Sequence, residues 1–260
     1  MDVLEKQSIS FIGAGKLASH LAFAFKERGY RFLQVYNRSS ANGLKLASSL
    51  DCEYISDIKS LSDQADIYCI TLSDSVIEEF SKKLQLNNKL VVVFSGTLDI
   101  DLLRQCSGNY GVIYPPQTFS GGKPVNFQNI PLCVDGNNNE SLGMLLALAG
   151  SVSSKVFQVT LEQRQILHVA AVFASNFTNF LHSSAEKLLK DHGLPHDLLG
   201  PLVAKTAENF SSDEIFALQT GPAIREDYAV LKLHEHLLEA YPEFQKIYQL
   251  LSSSIIHQKH

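Results

Sequence analysis

The chain has 260 residues, 45% hydrophobic and 19% charged, with 15 glycines and 8 prolines; this composition excludes disordered, collagenous and low-complexity scaffolds. Its length allows one to two domains with a substantial core. Lysine plus arginine number 22 against 27 acids, a net charge of -5, and no basic stripe gathers to neutralise a run of phosphates, so nucleic acid is not an expected partner. The four cysteines (Cys52, Cys69, Cys106 and Cys133) form no CxxC pair and read as small buried groups in a reducing compartment. The longest apolar runs, Leu142 to Ala149 and Val169 to Ala174, fall well short of the roughly 20 residues of a membrane helix. MDVLEKQ places two acids before any apolar stretch, which is not a secretory signal. A cytoplasmic protein without a membrane partner is expected.

From Ser8 to Gln158 short β-rich runs alternate with helical stretches, the pattern of a doubly wound α/β sheet. The runs are SISFI, RFLQVY, DIYCITL, KLVVVFSG, NYGVIY, IPLCVDG and SKVFQV, and the continuously apolar CITL and VVVF suit strands buried on both faces. After Val159 the pattern is helical only. Thr160 and Gln163 have the spacing of a capping box, and the helix they open runs to about His192, where Gly193 and Pro195 stop it. At 1.5 Å per residue it would be about 48 Å long, so something beyond its own domain must cover it. Uniform helical spacing puts Ile166, Ala170, Phe173, Phe177, Phe180, Leu181 and Leu188 on one apolar arc, with Gln165, His168, Ser175, Asn179, His182, Ser183 and Glu186 opposite. Further helices are expected at about Pro195 to Phe210, Gly221 to Glu239 and Glu243 to His257.

The first of these units carries the sharpest motif. Between the strand SISFI and an amphipathic helix stand Gly13, Ala14, Gly15, Lys16, Leu17 and Ala18, a GxGxxA dinucleotide fingerprint in its confirming context. Gly13 permits the tight turn, Gly15 lets backbone approach a pyrophosphate, Ala18 lets the helix lie close, and the helix N-terminus receives the negative charge. RFLQVY ends in Asn37, Arg38 and Ser39 where an acid would otherwise bind a ribose 2′-hydroxyl. An arginine there suits a 2′-phosphate, favouring NADP(H) over the lesser alternative that Arg38 is a solvated residue after a strand. Thr71, Leu72, Ser73 and Asp74 follow one central strand, and Ser95, Gly96 and Thr97 the next, on the side where open α/β sheets bind ligands. These groups could touch ribose and nicotinamide, or Ser73 and Thr97 could cap helices, or both. The loop from Tyr114 to Pro124, YPPQTFSGGKP, offers Gln117, Thr118 and Ser120 to a substrate, or is a plain connection.

GAGKLA, NRSS, SGT, YPPQTFS, HVAAVFASNFTNFL and TGPAIRED together resemble short bacterial Rossmann proteins assigned as NADP oxidoreductases. These carry a helical C-terminal domain of unknown function and are related to pyrroline-5-carboxylate reductase and the phosphogluconate dehydrogenase superfamily. The resemblance implies a Rossmann domain over residues 1–158 and an all-helical dimerisation and substrate domain, phosphogluconate dehydrogenase C-terminal-like, over 159–260. It also implies a homodimer whose active site lies between the two domains. The superfamily's β-hydroxyacid dehydrogenases set a catalytic lysine four residues before an asparagine. Asn176 matches the asparagine, but Val172 stands where the lysine would be, so their reaction is not implied. Thr220, Gly221 and Pro222 are the nearest equivalent of the reductase's Ser/Gly/Pro segment, in a different context.

Three residues are candidates for chemistry. His168, two turns into the long helix, suits a proton donor or acceptor beside a nicotinamide, or a hydrogen-bonded structural role. Asn176 could orient a substrate or bond across a dimer. Arg225, expected in the first turns of a helix capped by Thr220, could hold a substrate carboxylate, or pair with Glu226 or Asp227. Gly193 and Pro195 break the HxxxH spacing of His192 and His196, and no metal is expected. The expected activity is hydride transfer to or from a small carbonyl, imine or hydroxy substrate. A dimer that binds NADPH as a sensor without turnover is the alternative.

Overall fold

A computed structural model describes residues 7–120, 125–211 and 214–259. The chain divides into two compact units, 1–176 and 177–260. Among the described residues the first unit holds one eight-stranded sheet in the order β3-β2-β1-β4-β5-β6-β7-β8. Its strands are β1 (Ser8–Ile12), β2 (Arg31–Tyr36), β3 (Glu53–Ile55), β4 (Ile67–Ile70), β5 (Leu90–Val93), β6 (Asn109–Tyr114), β7 (Leu132–Gly136) and β8 (Val156–Gln158). All neighbours are parallel except β6 and β7. The expected doubly wound architecture is therefore present, with its switch point between β1 and β4, where strand order reverses. The sequence reading lacked β3, a three-residue edge strand too short to show a period.

Helices cover both faces because successive strand residues point in opposite directions. Cys69 of β4 and Val92 of β5 pack with α1 (Lys16–Glu27), α2 (Ser40–Leu50) and α4 (Asn139–Val152). Ile70 and Val93, one residue on, pack with α3 (Asp74–Ser81), and Leu167 of α5 (Leu161–Ala171) joins that face. Ala18 is fully buried where α1 crosses the sheet, the close approach its small side chain allows.

The expected capping box is complete: the Gln163 N–H donates to Thr160 Oγ1 at 3.2 Å and the Thr160 N–H to Gln163 Oε1 at 2.9 Å. The helix it opens is not uniform, however. After α5 comes a π segment, Val172–Phe177, and then α6 (Thr178–Asp191). A π turn, closed by i→i+5 bonds, holds one more residue than an α turn, so residues beyond Ala171 are rotated from the positions that even spacing predicts. The units divide inside this segment, later than the last strand, because α5 packs on the sheet. Gly193, at φ +71, ends α6 as expected: its N–H donates to Lys190 O and that of Leu194 to Leu189 O, the paired bonds of a Schellman stop.

The second unit contains α6, α7 (Gly200–Glu208), α8 (Tyr228–Leu237) and α9 (Pro242–Lys259). The helix expected from Gly221 starts only at Tyr228, where Asp227 rather than Thr220 caps it by accepting from the Val230 N–H. Gly221 at φ +109 and Glu226 at φ 55 occupy left-handed backbone incompatible with a helix. Removing the α5 cap by Thr160→Ala should lower stability by about 1 kcal/mol, read as a shift in the urea midpoint by circular dichroism.

Candidate active site

The glycine loop between β1 and α1 shows two glycines required for different reasons. Gly13 has φ +110, and a Cβ there would lie 2.7 Å from Thr71 Oγ1 and 2.9 Å from Thr71 O, so the protein itself forbids a side chain. Gly15 has φ -77 and ψ -174, backbone any residue adopts, and nothing lies within 4 Å of an added Cβ. The space above Gly15 is an open cradle at a helix N-terminus without a side-chain cap, where backbone N–H groups are available to an anion. The residues present therefore fit a dinucleotide pyrophosphate. Lys16 and Leu17 open α1, and the Ala14 N–H donates to Asn37 Oδ1 at 3.2 Å, tying the loop to the end of β2.

Asn37 also donates through Nδ2 to Ser39 O at 2.8 Å, shaping the turn into α2. Ser39 is the N-cap of α2 but makes no side-chain capping bond, and Arg38 beside it is exposed. Arg38, Asn37, Leu72, Ser73, Tyr36 and Lys83 are among the residues around a cavity of about 290 Å³. Ser73 occupies the N-cap of α3, yet its hydroxyl lies 3.4 Å from that of Ser75 and makes no capping bond.

After β5 the chain is held by bonds the sequence did not reveal. Ser95 Oγ accepts from the N–H groups of Thr97 and Leu98 at 3.1 and 3.0 Å and donates to Asp74 Oδ2 at 2.6 Å. Thr97 Oγ1 donates to the same oxygen at 2.7 Å. Ser95 thus ties the turn, Thr97 caps no helix, the 3-10 turn Ile100–Leu103 that follows is capped by Asp99, and Asp74 joins the loops after β4 and β5. Beneath them Arg164 of α5, fully buried, donates from Nη1 to Ser95 O at 2.9 Å and from Nη2 to Leu98 O at 2.7 Å. Burial pulls its affinity for the proton down, and Asp135, Asp74 and Asp99 oppose that pull.

The site's polar pair stands above this turn. The Tyr114 hydroxyl at the end of β6 lies 3.1 Å from His168 Nδ1, with the rings edge to face at 5.9 Å. Burial pushes the Tyr114 hydroxyl above its usual pKa, the Cys133 thiol beside it adds to that, and Arg164 opposes it. Gly96 admits the arrangement, because a Cβ there would lie 2.7 Å from His168 Nδ1. Tyr114, His168, Gly96, Leu17, Asp74 and Phe119 are among the residues around a cavity of about 240 Å³. Gln117 also borders it, whereas Thr118 Oγ1 pairs with Ser175 Oγ at 3.2 Å.

The structure thus gathers Leu17, Ser95, Gly96 and His168 around one cavity and Asn37, Arg38, Leu72 and Ser73 around another. Asn176, exposed in the π segment, does not border either cavity. Arg225 is exposed in the turn before α8, within the second unit. Sequence reasoning passed over Arg164 and the bonding roles of Asp74 and Tyr114. One signal was available: a cation in the first turns of a helix opposes the macrodipole, which hints at a partner elsewhere in the chain.

Over 97% of this chain and 99% of the other, the fold matches a crystal structure of a "putative NADP oxidoreductase" from Bacteroides fragilis with 37% identity and a TM-score of 0.90. The chain belongs to the family of that protein. Residues 130–255 match the model of a domain of unknown function, and residues 1–93 match that of shikimate/quinate 5-dehydrogenase. A pyrroline-5-carboxylate reductase from Streptococcus pyogenes shares the fold at 14% identity, with a TM-score of 0.63 over 97% of this chain and 99% of that one. So does a reductive aminase from Aspergillus terreus in complex with NADPH and ethyl levulinate, at 16% identity and a TM-score of 0.70 over 96% and 92%. No curated protein matches. The family resemblance read from GAGKLA, YPPQTFS and the later motifs is thereby confirmed.

Arg164→Met keeps the bulk and removes both donors, leaving the buried carbonyls of Ser95 and Leu98 unsatisfied. An unmade buried bond costs about 1–3 kcal/mol, so a loss of about 2–4 kcal/mol is expected in urea denaturation.

Proposed function

We propose that the chain is an NADP(H)-dependent oxidoreductase acting on a small carbonyl, imine or hydroxy compound. The observation that carries this reading is the Tyr114–His168 pair, 3.1 Å apart, bordering the same cavity as Leu17 of the glycine-loop helix. When bound, the nicotinamide supplies or takes up the hydride. The chain's own residues move the accompanying proton. Tyr114 donates it from Oη, and His168 in its Nδ1–H form, 3.1 Å away, donates to that oxygen and replaces the proton that leaves, its own being restored from solvent. Leu17, Phe94, Pro115 and Phe119 give the cavity apolar walls that exclude water.

On the cofactor side, Gly13, Ala14, Gly15, Lys16 and Leu17 take the pyrophosphate and its flanks, while Arg38 and Ser39 at the start of α2 take a 2′-phosphate. Asn37, Leu72 and Ser73 border the adenosine, and Ser95 and Gly96 the nicotinamide ribose. NADP(H) binding by this chain is further supported by its 37% identical relative, which is named for that cofactor. Asn176 and Arg225 extend the reading as substrate-orienting groups.

The same reading gives residues 1–158 the cofactor and residues 159–260 dimerisation and substrate binding. Among the described residues of the second unit, the buried hydrophobics are Ala223, Leu231 and Leu238, while Phe180, Leu202, Leu233 and Leu250 stand exposed. So small a core leaves apolar surface for a second copy to cover, which supports a homodimer. The cysteines are free, in keeping with the cytoplasm.

A panel of carbonyl, imine and hydroxy compounds, scored by NADPH absorbance, tests the activity. NADPH binding without turnover of any compound would favour the sensor reading instead. Arg38→Ala should weaken NADPH about 10- to 100-fold, the worth of a charged hydrogen bond, and leave NADH unchanged in a fluorescence titration. Tyr114→Phe should lower kcat about 100-fold, the scale of general-acid catalysis, with NADPH affinity retained.

A further inference from the structure

α1 carries a buried histidine that the proposed chemistry leaves unused. His20 lies little more than one turn beyond Gly15, and both its ring nitrogens are engaged. Nδ1 accepts from the Val125 N–H at 3.2 Å, and Nε2 lies 2.9 Å from the carbonyl oxygen of Ser120. An amide N–H can only donate and a carbonyl only accept, so one species satisfies both bonds: the neutral imidazole with its proton on Nε2. The imidazolium would have no acceptor for Val125, and the opposite tautomer would satisfy neither bond.

The ring does more than fill space. It packs on Phe119 with centroids 5.5 Å apart, and Phe119 stacks on Phe127 at 5.7 Å. Phe119 in turn borders the cavity of Tyr114 and His168. The chain that leaves β6 is therefore fixed from two sides, by Thr118 to Ser175 near the end of the unit and by Ser120 to the glycine-loop helix.

We propose that His20, as the neutral Nε2–H tautomer, is a positioning residue that fastens Ser120 and Val125 to the cofactor-binding helix and so sets Phe119 as a wall of the substrate cavity. The inference rests on the oxidoreductase reading for the identity of that cavity, and on geometry for the tie itself. The helix that presents the glycine cradle thereby also shapes the substrate side, so both surfaces share one rigid element.

Three variants separate the tie from mere filling of space: His20→Leu removes both bonds, His20→Asn offers an acceptor in place of Nδ1, and His20→Gln a donor in place of Nε2. The wild-type protein should show the Nε2–H tautomer in its imidazole ¹⁵N spectrum. His20→Leu should speed Val125 amide exchange about tenfold, the upper worth of one net hydrogen bond, and move the Phe119 ring resonances. Asn should restore Val125 protection and Gln should not. With a compound turned over in the NADPH panel, Leu should raise KM about tenfold and leave kcat and NADPH affinity within about twofold. An Nδ1–H tautomer, or a folded Leu variant with Val125 exchange and Phe119 resonances as in the wild type, overturns the proposal. Asn and Gln carry the same comparison if Leu does not fold. The resonance measurements need no turnover, so a silent compound panel would count against the oxidoreductase reading and leave the tie to be judged by its own result.

Discussion

The site depends on a cation that never reaches solvent. Arg164 enters from α5 and places its two Nη groups on the carbonyls of Ser95 and Leu98, fixing the turn after β5 from beneath. Its Nε has no partner among the described residues, so the guanidinium is held by this turn and by the field of Asp135, Asp74 and Asp99. Burying a charge is costly unless it is paired or hydrogen-bonded, and that cost is offset only while α5 stays on the sheet. The contact that seats α5 also brings His168, one turn further on, over Gly96. Scaffold stability and the geometry of the polar pair thus rest on one interaction.

Around that anchor the carboxyl ends of the parallel strands divide the labour. The loop after β1 leaves an anion cradle, the turn after β2 presents Arg38 and Ser39, and the turns after β4 and β5 are locked through Asp74. Asp74 Oδ2 accepts two hydroxyl hydrogen bonds at once, so Ser95 and Thr97 are fixed donors rather than free rotors. Such preorganisation is what the proposed hydride transfer would need from the protein, since the cofactor would bring the reactive atoms.

What could be read from the sequence was what is local. The glycine fingerprint, the Thr160 and Gln163 box and the Gly193 stop each fit within one turn of chain, and each has the predicted bonds or backbone. The fold class followed because both strand burial and helix alternation leave periodic traces. Arg164 left only its place in the first turns of a helix, against the macrodipole, because its partners are about seventy residues away in the chain and a helical arginine ordinarily reads as solvated. The π segment and the left-handed backbone at Glu226 were equally hidden: each is a departure from regularity that ordinary residues adopt under tertiary constraint. His168 stood out as a candidate on its helix, but its partner Tyr114 belongs to a strand end brought near only by folding.

Gly96 shows where this leaves the chain free to change. Its missing Cβ is reserved by the imidazole of another element, whereas at Gly13 the obstacle is backbone. Positions 96 and 168 therefore form a single steric unit: a side chain gained at one must be matched by volume lost at the other. Replacing the histidine with a smaller residue would release position 96 from glycine, while position 13 stays bound by the turn itself. A residue larger than glycine after β5 therefore fits this backbone only where the helix brings something smaller than an imidazole to the cavity.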